Sequence, residues 1–190
     1  MNVLFFCNNL NPSSGGVERV TSLLAKFFLS HNIKCYYAYC GDDDETVDDS
    51  LKMRYKESDD YNNFKKMLSD FLFQKQIDVI INQDQMQDNT ARFMGELKTN
   101  SSIATVNCMH INPKFYHYSP LYQSIKWKIK NKLHKLYRGY TLPLINRRRM
   151  YNNVDQFVLL SDSFIDDFAY EIGVKKTDLR AVAIPNPLSF

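Results

Sequence analysis

The chain has 190 residues, 44% of them apolar, which suits one well-packed globular core. No run approaches the ~18 consecutive apolar residues of a membrane span, and no basic stretch ahead of a long apolar segment marks a secretory signal. The net charge of +3 hides a segregation: ten Lys and Arg but no Asp or Glu lie between Ile111 and Met150, leaving an excess of acids elsewhere.

In chain order, Val3–Cys7 (VLFFC) reads as a short buried strand. A loop of small and polar residues, Asn8 to Arg19 (NNLNPSSGGVER), leads from it into a helix whose Val20, Leu23, Leu24, Phe27 and Phe28 recur at helical spacing. Lys34–Cys40 is the second strand. Asp42–Asp60 is acid-rich without an apolar period and reads as a solvated loop. Phe64, Met67, Leu68, Phe71 and Leu72 mark a second amphipathic helix, and Asp78–Asn82 a third strand with a polar loop after it, Gln83 to Asn89. A helix with Ala91, Met94 and Leu97 inward follows, then strand Ile103–Asn107, which runs into Cys108, Met109 and His110. Beyond the basic segment, Phe157–Leu160 is a strand. Ser161 is placed to cap a helix carrying Phe164, Ile165, Phe168 and Ile172, with Gly173 closing it. Ala181–Ile184 is a last strand, and Pro185-Asn186-Pro187 breaks regular structure.

Strands alternating with helices predict an α/β fold: one Rossmann-like domain over 1–190, a parallel sheet with helices on both faces and a basic helical excursion at about 111–150. In such sheets ligands sit beyond the carboxyl ends of the strands, at the topological switch point. The Gly15-Gly16 loop, the Gln83 loop and His110 all follow strand ends and are expected to converge there.

Gly15 and Gly16 admit two readings. They form a tight turn between strand and helix, or they let a phosphate approach the free N–H groups and positive dipole end of the helix. A dinucleotide fingerprint is disfavoured, because the two glycines are adjacent and G-x-G-x-x-G is absent, although Asp42 lies near the end of strand two. Glu18 suits the first turn of a helix, and Arg19 either reaches a phosphate or pairs with a surface acid. The four cysteines show no CxxC spacing and the four histidines are scattered. Reduced core thiols in a cytoplasmic protein are expected, with no metal and no cofactor.

Taken together, Gly15-Gly16-Val17-Glu18-Arg19 after the first strand, His110 after the fourth, Asn153 to Ser161 around the fifth and Ile184-Pro185-Asn186-Pro187 at the end resemble family 4 glycosyltransferases. The likeness runs in order from about residue 2 to 188 and leaves out the acidic loop and the Ile111–Met150 segment. It implies the N-terminal, acceptor-side half of a GT-B fold, ending at an interdomain linker near 185–190. It also implies a retaining, metal-independent hexosyl transfer from a nucleotide-sugar donor to a cell-surface glycan or lipid-linked acceptor, as in polysaccharide biosynthesis. By that resemblance Gly15, Gly16 and Arg19 attend the donor phosphate and His110 contacts the transferred sugar. Asn82, Gln83 and Asp84 are assigned to the acceptor pocket. The chain is expected to be inactive without a C-terminal domain. The alternative is a non-catalytic acceptor-binding module that works with a separate catalytic subunit.

Within the basic segment, Leu121, Ile125, Ile129, Leu133 and Leu136 form one stripe with Lys126, Lys128, Lys130 and Lys135 outside it, and Trp127 projects away from Ile125 and Ile129. Three readings stand: an ordinary core-facing helix, a nucleic-acid surface, or adsorption to an anionic membrane surface on its cytoplasmic side. No nucleic-acid recognition motif accompanies the charge, and nucleic acid is not expected as a partner.

Overall fold

Seven parallel strands form a single sheet in the computed structural model, which describes residues 1–56, 59–83, 88–113, 124–138 and 142–185. They are β1 (Asn2–Phe6), β2 (Lys34–Tyr39), β3 (Lys52–Arg54), β4 (Val79–Asn82), β5 (Ala104–Met109), β6 (Gln156–Leu159) and β7 (Ala181–Ala183), in the spatial order 3-2-1-4-5-6-7. The helices are α1 (Gly16–Ser30), α2 (Tyr61–Lys75), α3 (Asp88–Asn100), α4 (Ile125–Arg138), α5 (Leu142–Asn153) and α6 (Asp162–Ile172). The chain therefore has the α/β, Rossmann-like parallel sheet expected of it.

β1 is central, pairing with β2 on one side (Phe5 opposite Tyr37) and β4 on the other (Phe5 opposite Ile81). A strand buried on both faces has no polar side to present, which is why VLFF is apolar throughout rather than alternating. Val3 and Phe5 face α1, where Ala25, Leu24 and Phe28 cover them together with Cys35. Leu4 and Phe6 face the opposite layer, with Phe64, Leu68 and Phe71 of α2, Met94 of α3, Met150 of α5 and Phe168 of α6 in one continuous core. Phe6 stacks on Tyr55 at 5.0 Å between centroids and meets Phe64 edge-on at 6.2 Å. Helices thus cover both faces.

Two local expectations are corrected. The acid-rich stretch Asp42–Asp60 is not wholly loop: β3 pairs with β2 at the sheet edge, and Tyr55 just after it is buried at 1% exposure. A polar edge strand of three residues carries no alternation to read. α5 falls in the helical excursion expected at about 111–150, and its inward face carries the charged Arg147 beside Met150 and Tyr151. That guanidinium is 1% exposed, and donates to the Pro113 carbonyl and the Glu171 carboxylate of α6. Ser161 occupies the N-cap position of α6, but its hydroxyl pairs with Ser163 Oγ at 2.9 Å and makes no cap bond. Gly173 does close that helix, at φ 69°, where a residue with a Cβ would be strained. Leu121 and residues 186–190, which are all but the first residue of the linker expected near 185–190, lie outside the described residues.

Removing one partner of a buried ion pair leaves the other charge in a low-dielectric interior. Glu171→Ala is expected to lower the unfolding free energy by about 3–5 kcal/mol. Arg149→Ala, which breaks an exposed 2.7 Å contact to Asp88, should change it little. Urea denaturation of both variants checks the contrast.

Candidate functional site

The chain leaves β1 towards β2 on one side and later returns to place β4 on the other, so the sheet's switch point lies between the C-terminal ends of β1 and β4. The loop after β1 runs into α1 above this point. Gln83 follows β4, fixed by its backbone N–H to Phe6 O at 2.8 Å, and His110 follows β5 next door. The expected convergence of these three segments is what the sheet order produces.

His110 and Gln83 are joined directly: His110 Nε2 lies 2.5 Å from Gln83 Oε1. An amide oxygen only accepts, so Nε2 carries the proton and Nδ1 is left as an acceptor on a neutral ring. Burial pushes the His110 pKa below its ordinary value, with the nearby Glu18 carboxylate opposing the shift. A neutral imidazole at neutral pH follows. Gln83 is itself 1% exposed. Below His110, Val20 and Leu24 of α1, Val106 and Cys108 of β5 and Val158 of β6 line an apolar pocket of about 190 Å³.

The two glycines have different jobs. Gly15 is the N-cap of α1 in fully extended backbone (φ 177°), which any residue adopts, so its freedom of conformation is not what matters. Space is: a Cβ there would lie 2.6 Å from Glu18 Oε2. Glu18 folds back towards the helix start, nearly buried, with Oε1 accepting from Asn9 Nδ2 at 3.1 Å. A Cβ on Gly16, by contrast, meets nothing within 4 Å. Among the described residues no side chain caps α1. Its N-terminus therefore has an open approach over Gly16 and an occupied flank at Gly15. Arg19 is exposed on the same first turn.

Asn9 was missed by the sequence reading and holds this corner together. Besides donating to Glu18, it accepts from the Asp42 backbone N–H at 2.9 Å, and a Cβ on Gly41 would collide with its Oδ1. Gly41 directly after a strand was the only sequence signal. Asn82 is fully buried, donating from Nδ2 to Asn107 Oδ1 at 2.5 Å, on the side of the sheet where Met150 lies. Its amide braces β4 against β5 and has no exposed surface of its own. Asp84 lies outside the described residues. Among the described residues no group of three or more His, Cys, Asp or Glu is placed to hold a metal ion. A larger groove, lined by Leu72 and Phe73 of α2 and Leu97 of α3, opens near the opposite, N-terminal ends of β4 and β5.

No protein-family model and no curated protein sequence matches the chain. Solved structures do. HepE (Alr3699) of Anabaena, bound to UDP and glucose, superposes with a TM-score of 0.60 at 14% identity over 98% of this chain and 44% of HepE. An alpha-glucosyltransferase bound to UDP and a 13-mer DNA superposes with a TM-score of 0.55 at 16% identity, over 98% of this chain and 42% of that one. At such identities the likeness establishes the fold, a Rossmann-like sheet of the kind found in GT-B glycosyltransferases. The chain spans less than half the length of these neighbours.

The lowered His110 pKa links folding to pH. The unfolded imidazole, at its ordinary 6.5, takes up a proton more readily than the folded one. His110 therefore contributes stability fully above about pH 6.5 and loses it as pH falls through the folded-state value. The difference in unfolding free energy between wild type and His110→Gln should shift against wild type as pH drops from about 7.5 to about 5.5. Urea titrations across that range measure it; a pH-independent difference would contradict the assignment.

Proposed function

We propose that the chain is the acceptor-side, N-terminal half of a GT-B glycosyltransferase that uses a nucleotide-sugar donor. One observation carries the reading: an uncapped helix N-terminus with open space over Gly16 stands beside a neutral histidine at the switch point of the sheet. The two together suit a sugar diphosphate, whose charge meets the α1 N–H groups while its hydroxyls meet an imidazole. The fold shared with UDP-bound glycosyltransferases supports the same reading.

In this account the Gly16 and Val17 amides and the α1 dipole stabilise negative charge as the C1–O bond to the diphosphate breaks. Arg19, exposed two residues beyond Val17, reaches the same phosphates. The acceptor hydroxyl oxygen bonds to C1 on the face the diphosphate leaves and passes its proton to the departing diphosphate oxygen, which retains the anomeric configuration. His110 holds a sugar hydroxyl through Nδ1, oriented by its bond to Gln83, and is the catalytic residue of the proposal. Gln83 shapes the acceptor side and Asn82 braces the two strands beneath it. The nucleotide is gripped from across the cleft by a second domain, so this chain alone binds donor weakly. A lipid-linked or surface glycan is the acceptor class, since this half of the cleft receives it.

Gly16→Leu is the clean probe, because the new side chain meets no protein atom at its Cβ and fills only the approach to the helix start. Its expected outcome is unchanged thermal unfolding with UDP-glucose affinity lowered roughly tenfold or more, the loss of a hydrogen bond to a charged group. Microcalorimetry of the chain and the variant measures both. Equal affinity in the two would remove the phosphate role of this loop.

A further inference from the structure

α4 faces the wrong way for a helix that belongs to a core. Ile125, Ile129, Leu133 and Leu136 are 76%, 56%, 60% and 75% exposed, so the core-facing reading of this stripe is overturned. At 100° per residue these four fall within an arc of about 80°. Lys126 and Lys130 follow on one side of the arc, Lys128 and Lys132 on the other, and all four are exposed. Trp127 and Asn131, on the reverse side, are partly buried. α4 rests against α5, and its sequence holds no acid. The outcome is an apolar ridge roughly 16 Å long, turned outward and bordered by lysine on both edges.

We infer that α4 docks the chain on an anionic lipid surface. The ridge enters the boundary between headgroups and acyl chains, while the lysines on each edge lie at the depth of the phosphates, their stems along the apolar margin. Charge complementarity selects this occupant. A second copy of α4 would bring four lysines onto four lysines, a like-charge contact that opposes association. A nucleic-acid backbone would satisfy the lysines but leave the Ile and Leu ridge against a polar groove. An anionic bilayer offers the apolar depth and the negative charge together. The helix adsorbs and does not cross: among the described residues no helix is long and apolar enough to span. The docking needs no step of glycosyl transfer, and lipid binding is read separately from donor binding, so either proposal fails without the other.

Sedimentation of the 190-residue chain with vesicles of phosphatidylcholine, alone or with phosphatidylglycerol added, tests the inference. Expected are binding to the anionic vesicles, loss of that binding as salt is raised, and little binding to phosphatidylcholine alone. Replacing Lys126, Lys128, Lys130 and Lys132 with Gln should lower partitioning by roughly fivefold per lysine. Ile129→Glu with Leu133→Glu should abolish it while leaving thermal unfolding unchanged, since both side chains are already exposed. Failure to bind anionic vesicles, or retention of binding in the double Glu variant, overturns the inference. So does a double Glu variant that changes only oligomeric state in ultracentrifugation, which would make the ridge a contact between copies. Binding to duplex DNA that outcompetes the vesicles and ignores the Glu pair would make this face a nucleic-acid surface instead.

Discussion

β1 is paired on both edges and covered on both faces, and the position of everything at the candidate site follows from where it ends. Because parallel neighbours cannot be joined by a hairpin, the chain must leave β1 over one face and return over the other. That reversal opens the crevice between β1 and β4, and it brings Gly16, Gln83 and His110 to one edge although nearly a hundred residues separate the first from the last. Val3, Leu4, Phe5 and Phe6, each 1% exposed or less, are thus as much part of the site as the polar groups above them.

Electrostatics at that edge are divided between two sides of one helix start. Glu18 turns its carboxylate back towards Gly15 and the His110 ring, so one flank already carries a negative charge held by Asn9. In the proposed function an incoming phosphate would approach from the Gly16 side, where a Cβ would meet nothing within 4 Å. The same carboxylate opposes the effect of burial on His110 without reversing it, which keeps the ring neutral and its Nδ1 free of a proton. Gly15 and Gly16 look alike in the sequence, yet one makes room for a side chain of the protein and the other keeps an approach open.

What could be read from the sequence followed burial symmetry. The strands VLFF, VIIN and QFVL are apolar runs between turn residues, and they announced the sheet. β3 did not, because KMR at a sheet edge has neither an apolar run nor an alternation long enough to count. α5 lies inside the expected helical excursion but shows no apolar period of its own: Arg147 sits where periodicity expects an aliphatic residue, its buried guanidinium bonded to Glu171 and to the Pro113 carbonyl. α4 was found, but which way its stripe faces stayed open among three readings. Periodicity gives the stripe of Ile and Leu and is silent about whether that stripe meets core, solvent or lipid. His110 and Gln83 were both legible as residues beyond strand ends, whereas the bond between them and the Asn9–Glu18 clamp are contacts that no local pattern records.

The most direct test of the account follows the backbone amides and the histidine ring of the isotope-labelled chain by NMR while a nucleotide-sugar is added. The account predicts weak, saturable shifts concentrated at the amides of Gly16 to Glu18 and at the His110 imidazole, with the groove between α2 and α3 silent. Shifts confined to that groove, or none at the α1 N-terminus at donor concentrations that saturate other sites, would contradict it.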